Sequence, residues 1–221
     1  MDATQWGLPS RREPRWPASL AVAAVVGLYF ALPERVIVGL GPRWLVPALE
    51  GALGAALLLA RPVRDSTESA RARLAAIVLI VLINVANVVS LVELVDKLLF
   101  GTKAGGRELI IASVPIWLTN VIVFGLWYWE LDRGGPACRL EPDHPRPDFL
   151  FPQMTAPGAT PEPWSPTFLD YLYTSFTNAT AFSPTDTMPL TPWAKLLMMV
   201  QSLASLLTVA LVISRAVNIL S

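Results

Sequence analysis

The stretch "TSFTNATAFSPTDTMPLTP", Thr174 to Pro192, stands directly before the last long apolar run of the chain. It carries six threonines, three prolines and one carboxylate, Asp186, and it has no glycine. Proline removes a backbone donor and ends helices, whereas each threonine hydroxyl needs a hydrogen-bond partner. Beside a membrane span, such a segment either caps the next helix or faces something polar.

The residues leading into it narrow the choice. "TFLDYLYTSFTNATAF", 167–182, is too polar and too short to cross a bilayer, which needs about 20 helical residues for a core about 30 Å thick. It is also too aromatic for a free loop. A half-helix dipping into the membrane satisfies both features, because irregular backbone at that depth is stable only when buried in protein or lining a watery cavity.

The rest of the chain supplies the membrane. Of 221 residues, 53% are apolar and 15% charged, and the apolar ones are gathered into long blocks. Five blocks read as spans: 16–33, 44–60, 74–92, 109–129 and 196–214. Arg11, Arg12 and Arg15 precede the first, but no small-x-small cleavage site follows it, so it reads as a retained span or signal anchor. The formal charge is zero and no basic run exists, which excludes nucleic acid as a partner. The lone Cys138 and lone His144 exclude an intrachain disulfide and a metal site built from several thiolates or imidazoles. Both read as incidental loop residues.

Nine prolines fall between Gly134 and Pro166, so 131–165 reads as an extramembrane linker with extended polyproline character. Trp127, Tyr128 and Trp129 before it fit the headgroup level. Three regions follow: an N-terminal four-helix region, 1–130, the linker, 131–165, and a short-helix and inner-helix unit, 166–221.

Residues 168–221 resemble the pore module of tetrameric potassium-channel-type proteins, in which a pore helix, a filter strand and an inner helix succeed one another. The resemblance rests on Tyr173, Ser175 and Phe176, on Thr180, on Asp186 and Pro189 after the filter, and on Thr191 and Lys195 entering the inner helix, with Ala194 where glycine is common. It implies a homo-oligomer, most simply a tetramer, with monovalent cations as the permeant species. The filter departs from the family: Ala181, Phe182, Ser183, Pro184 and Thr185 replace a glycine-bearing signature. Without those glycines, successive carbonyls cannot all turn towards one axis. What the resemblance leaves is a wider scaffold whose candidate lining groups are Thr177, Thr180, Ser183, Thr185 and Asp186, a ring of Asp186 carboxylates favouring cations. The competing reading of Ser183 to Pro192 is a turn and helix cap, with Thr191 as N-cap and Pro192 as the first helical residue. "NAT" at Asn178 matches a glycosylation acceptor only by chance.

In the last span Gln201, Ser205, Thr208 and Arg215 share one helix face. Such a face either lines a water-filled path or bonds one helix to another. Asn84, Asn87 and Asn120 are polar groups within the third and fourth spans and read as mutual partners across them. Glu50 is ionisable within the second span, next to Gly51 and Ala55 at a close-packing spacing, and a proton-relay role is open to it.

Lys and Arg counted on alternate sides of the five spans favour a cytoplasmic N-terminus by ten to six, which conflicts with an outward-facing filter mouth and leaves orientation open. The reading is therefore an all-α polytopic membrane protein of about five spans plus a re-entrant helix, in a bacterial plasma membrane by its Ala, Leu, Val and Arg bias. It is a channel-like oligomer or a non-conducting scaffold. A transporter would show paired broken helices, and only one is visible. No nucleophile, base and orienter set points to an enzyme, and no cofactor is implied.

Overall fold

The computed structural model describes residues 14, 16–33, 42, 44–60, 70–100, 106–141, 145–156, 164–180 and 186–220. Seven α-helices and one two-stranded antiparallel pairing make up these residues. In order they are α1 (Trp16–Ala31), α2 (Leu45–Ala60), α3 (Ala70–Phe100), α4 (Gly106–Leu131), β1 (Phe149–Leu150), α5 (Pro152–Thr155), α6 (Phe168–Thr180), β2 (Met188–Pro189) and α7 (Pro192–Leu220). Single 3-10 turns occupy Asp132–Gly134 and Cys138–Leu140.

Three of the five expected spans are long and apolar enough to cross a membrane: Ala70–Phe100, Glu108–Gly134 and Pro192–Ile213. α1 and α2 are apolar but only 16 residues each, about 24 Å at 1.5 Å per residue. On α3 the exposed residues Leu74, Val78, Val81, Val85, Val88 and Val92 fall at alternating steps of four and three. That puts an apolar stripe on one outward face, as lipid contact requires.

α4 is the hub, packed against α1, α3, α6 and α7. One apolar core joins Val22 and Val25 of α1, Ile80 and Ile83 of α3, Phe124 and Trp129 of α4, and Met198 of α7. A second core, around Tyr29, Ala86, Leu94 and Ile116, closes the other end of the bundle.

α6 begins with a one-sided cap, in which Asp170 reaches back to Thr167. Both the amide and the hydroxyl of Thr167 donate to Asp170 Oδ2 at 2.8 Å, which fixes the first turn. Its buried residues, Phe168, Tyr171, Thr174, Ser175 and Ala179, form the face that meets α4. Gly125 permits that meeting, since a Cβ there would lie 3.2 Å from Leu172 Cα.

Two expectations change here. Thr191 accepts the Lys195 amide through its carbonyl at 3.1 Å, and Pro192 opens α7, but the Thr191 hydroxyl is buried without a hydrogen bond and caps nothing. The Pro-rich segment is not a loose extended linker where it is described. Phe149 and Phe151 are buried in the main core, and β1 pairs with β2 through Phe149 opposite Pro189. The segment folds back as a cap because its aromatic residues have a hydrophobic place to go: Phe149 packs at 5.0 Å from Tyr128 and 6.0 Å from Trp193, ring centre to ring centre.

Candidate functional site

α6 runs antiparallel to α4. Successive contacts descend from Trp129 with Phe168, through Val121 O accepting the Ser175 hydroxyl at 2.6 Å, to Trp117 with Phe176. The chain then reverses, because the Thr174 hydroxyl donates to Thr187 Oγ1 at 3.1 Å, which places Thr187 six residues back up α6. α6 therefore stops about halfway along α4, and α7 runs beside it in the same direction.

A polar seam locks the three helices together. Gln201 Nε2 donates to Ser175 O at 2.9 Å and to Ser175 Oγ at 2.7 Å. Gln201 Oε1 accepts from Tyr128 at 2.5 Å and from Asn178 Nδ2 at 2.8 Å. Trp117 Nε1 donates to Ser205 Oγ at 2.7 Å, and Ser205 in turn donates to the Ala179 carbonyl. Ser202 reaches Asn178 Oδ1 at 3.1 Å. The last carbonyls of a helix are normally left open. In α6, those of Ala179 and Asn178 accept from α7 hydroxyls, and that of Thr177 accepts from Thr180 at 2.9 Å.

Gln201, Ser205 and Thr208 do share a face, but it is buried inside the chain and spent on hydrogen bonds, so none of the three lines an open path within the subunit. Thr177 and Thr180 are half-buried, each hydroxyl bonded to a carbonyl of its own helix. Asp186 is exposed, on the wall of a cavity of about 300 Å³ shared with Phe151, Thr155 and Met188. Ser183 and Thr185 lie outside the described residues, as does His144. Asn120 donates to Gln201 O on α7 at 3.4 Å, and no hydrogen bond joins it to Asn84 or Asn87, which sit half-buried on α3. Glu50 is buried, with Oε2 unbonded, among the helices of the N-terminal region.

A second polar cluster ties the cap to the seam. Asp132 Oδ2 accepts from Tyr171 at 2.6 Å and Oδ1 from the Asp148 amide at 2.8 Å; Asp148 Oδ2 accepts from the Arg133 amide at 2.9 Å and Oδ1 from Trp193 at 2.9 Å. Arg139 donates to the carbonyls of Trp129 and Asp132, and its guanidinium stacks 5.2 Å from the Tyr171 ring centre. Arg133 is fully buried in a left-handed conformation, φ 54° and ψ 31°. Reading the sequence misses this cluster and four members of the seam, Trp117, Tyr128, Asn178 and Ser202. By sequence Tyr128 reads as a headgroup-level aromatic and Asn178 as a chance glycosylation match. The available signal was Ser175 and Asn178 one turn apart on α6, facing Gln201 and Ser202 on α7.

Among the described residues no group of three or more His, Cys, Asp or Glu is placed to hold a metal ion. No protein-family model, curated protein or solved structure matches the chain.

Proposed function

We propose that residues 106–220 form a pore-loop unit of a membrane protein, and that several copies, most simply four, assemble around an axis to pass monovalent cations. The single observation behind this reading is that α6 descends about half the length of α4 and the chain then turns back to Thr187 before α7 begins. A half-depth helix leaves polar backbone at its tip, which in a bilayer must meet protein or water. Because three of the last four carbonyls of α6, those of Thr177, Asn178 and Ala179, are already bonded, cation preference would come mainly from Asp186 and the hydroxyls of the return segment, not from the end of the α6 dipole. Such a site would select for charge sign and discriminate poorly between sizes of cation.

A second reading is favoured by the burial of Gln201, Ser205 and Thr208, which leaves α7 with an apolar outer face including Leu196, Met199, Leu203 and Leu206. On that reading the unit is a non-conducting scaffold. Two measurements separate the readings: oligomeric mass in mild detergent, and ion flux from liposomes holding the purified protein. The pore reading expects an oligomer with cation flux that Asp186→Ala reduces or makes less cation-selective. A monomer without flux sinks it and leaves the scaffold.

A further inference from the structure

Two cavities share one lining residue, Glu130, at the cap end of α4. The first is a narrow crevice of about 50 Å³ between α1, α2, α3 and α4, walled by apolar groups including Ala18, Val22, Leu57, Ala76 and Leu126. The second is a wider pocket of about 280 Å³ with a largely apolar wall that carries the charged groups Arg73, Glu130 and Glu141, beside Gly135, Cys138 and the start of α3 at Ala70. Glu130 is fully buried and contributes to both walls. Its Oε1 stands 3.9 Å from Arg73 Nε, too far for a hydrogen bond, and Arg73 Nε is buried with no hydrogen-bond partner. Gly135 keeps the pocket floor open, because a Cβ there would lie 2.8 Å from Glu130 O and 3.5 Å from Arg73 Nε.

We propose that this pair of cavities binds one aminophospholipid, a strip of acyl chain entering the apolar crevice and the headgroup occupying the wider pocket. Arg73 holds the phosphate, for which a guanidinium fork is suited. Glu141, on the exposed rim, holds the ammonium, while the buried Glu130 carboxylate backs Arg73 from behind. An apolar slot beside a pocket that carries both charges matches a molecule that is apolar along most of its length and carries both charges at one end. The position, at the end of a membrane-length helix, is where such headgroups reside. A soluble metabolite would have no use for the crevice, and an anionic lipid would leave Glu141 opposed to its charge.

The test uses the full chain in mixed micelles of equal phosphatidylethanolamine and phosphatidylglycerol, with bound lipid counted by native mass spectrometry. Retention of one phosphatidylethanolamine per chain in preference to phosphatidylglycerol is expected. Arg73→Gln lowers that retention about tenfold, the loss of one charge-assisted contact. Ala18→Leu, which fills the crevice and touches no polar group, lowers it comparably, and stands alone if Arg73→Gln does not fold. Glu141→Gln, on the exposed rim, narrows the preference between the two lipids. Equal retention of both lipids by the unaltered chain overturns the assignment, as does unchanged retention in Ala18→Leu.

Discussion

Tyr171 on α6 donates its hydroxyl to Asp132 Oδ2 at 2.6 Å, across 39 residues of sequence, and both side chains are completely buried. The bond fastens the start of α6 to the turn that ends α4. Asp132 has no other side-chain donor at that oxygen except Arg133 Nε at 3.6 Å, a looser contact. Tyr171→Phe therefore leaves a buried carboxylate short of a strong partner, at a cost of about 1 to 3 kcal/mol. Thermal unfolding in mild detergent measures it; an unchanged midpoint would mean that the cap does not hold α6.

Gln201 has more at stake. Both ends of its amide are engaged, by Ser175, Tyr128 and Asn178, and no solvent reaches it. Interhelical hydrogen bonds in bilayers contribute about 0.6 to 1.7 kcal/mol each, so Gln201→Leu should cost about 2 to 4 kcal/mol by orphaning several groups at once. A double-mutant cycle with Asn178→Leu should show coupling of at least about 0.5 kcal/mol. Strict additivity of the two would contradict the network.

The long helices were legible because apolar runs about as long as a bilayer is thick have few other uses, and the polarity of the stretch before the last run marked a helix shorter than its neighbours. The face carrying Gln201, Ser205 and Thr208 was legible as well, since helical period places those residues together. Its partners were not. Nothing in the spacing of Asn84, Asn87 and Asn120 states which neighbouring helix each will meet, and Asn120 turned to α7. The cap was the least visible part. Proline and charge report only that a helix cannot continue, while the burial of Asp132, Arg139 and Asp148 arises from partners 7 to 45 residues apart that leave no periodic trace.

Arg133 combines a strained backbone with a buried charge, and the two can be separated by substitution. At φ 54° its Cβ crowds the following carbonyl, at a cost of about 1 to 2 kcal/mol that glycine avoids. Arg133→Ala and Arg133→Gly both remove the cation beside Asp132, at several kcal/mol, about 3 to 5 where a buried pair is broken. The glycine variant should unfold about 1 kcal/mol later than the alanine variant. Equal stabilities would show that the turn relaxes once the guanidinium is gone.

Gly125 offers a test of how α6 seats on α4 that leaves every polar group in the seam intact. Its missing side chain brings α4 and α6 together, with Leu172 Cα and Cδ1 at 3.2 and 3.3 Å from where a Cβ would stand. An alanine there asks the neighbouring backbone to yield by a few tenths of an ångström, a cost of about 1 to 3 kcal/mol typical of overpacking. A leucine cannot be absorbed that way and pushes α6 off α4, lengthening the Ser175 bond to Val121 O and, beyond it, the bonds to Gln201. Graded loss is therefore expected: a modestly lowered unfolding temperature for Gly125→Ala, and for Gly125→Leu a larger fall together with loss of any flux the unaltered protein supports. Flux and stability untouched by Gly125→Leu would mean that α6 does not seat on α4, and the pore-loop geometry would go with it.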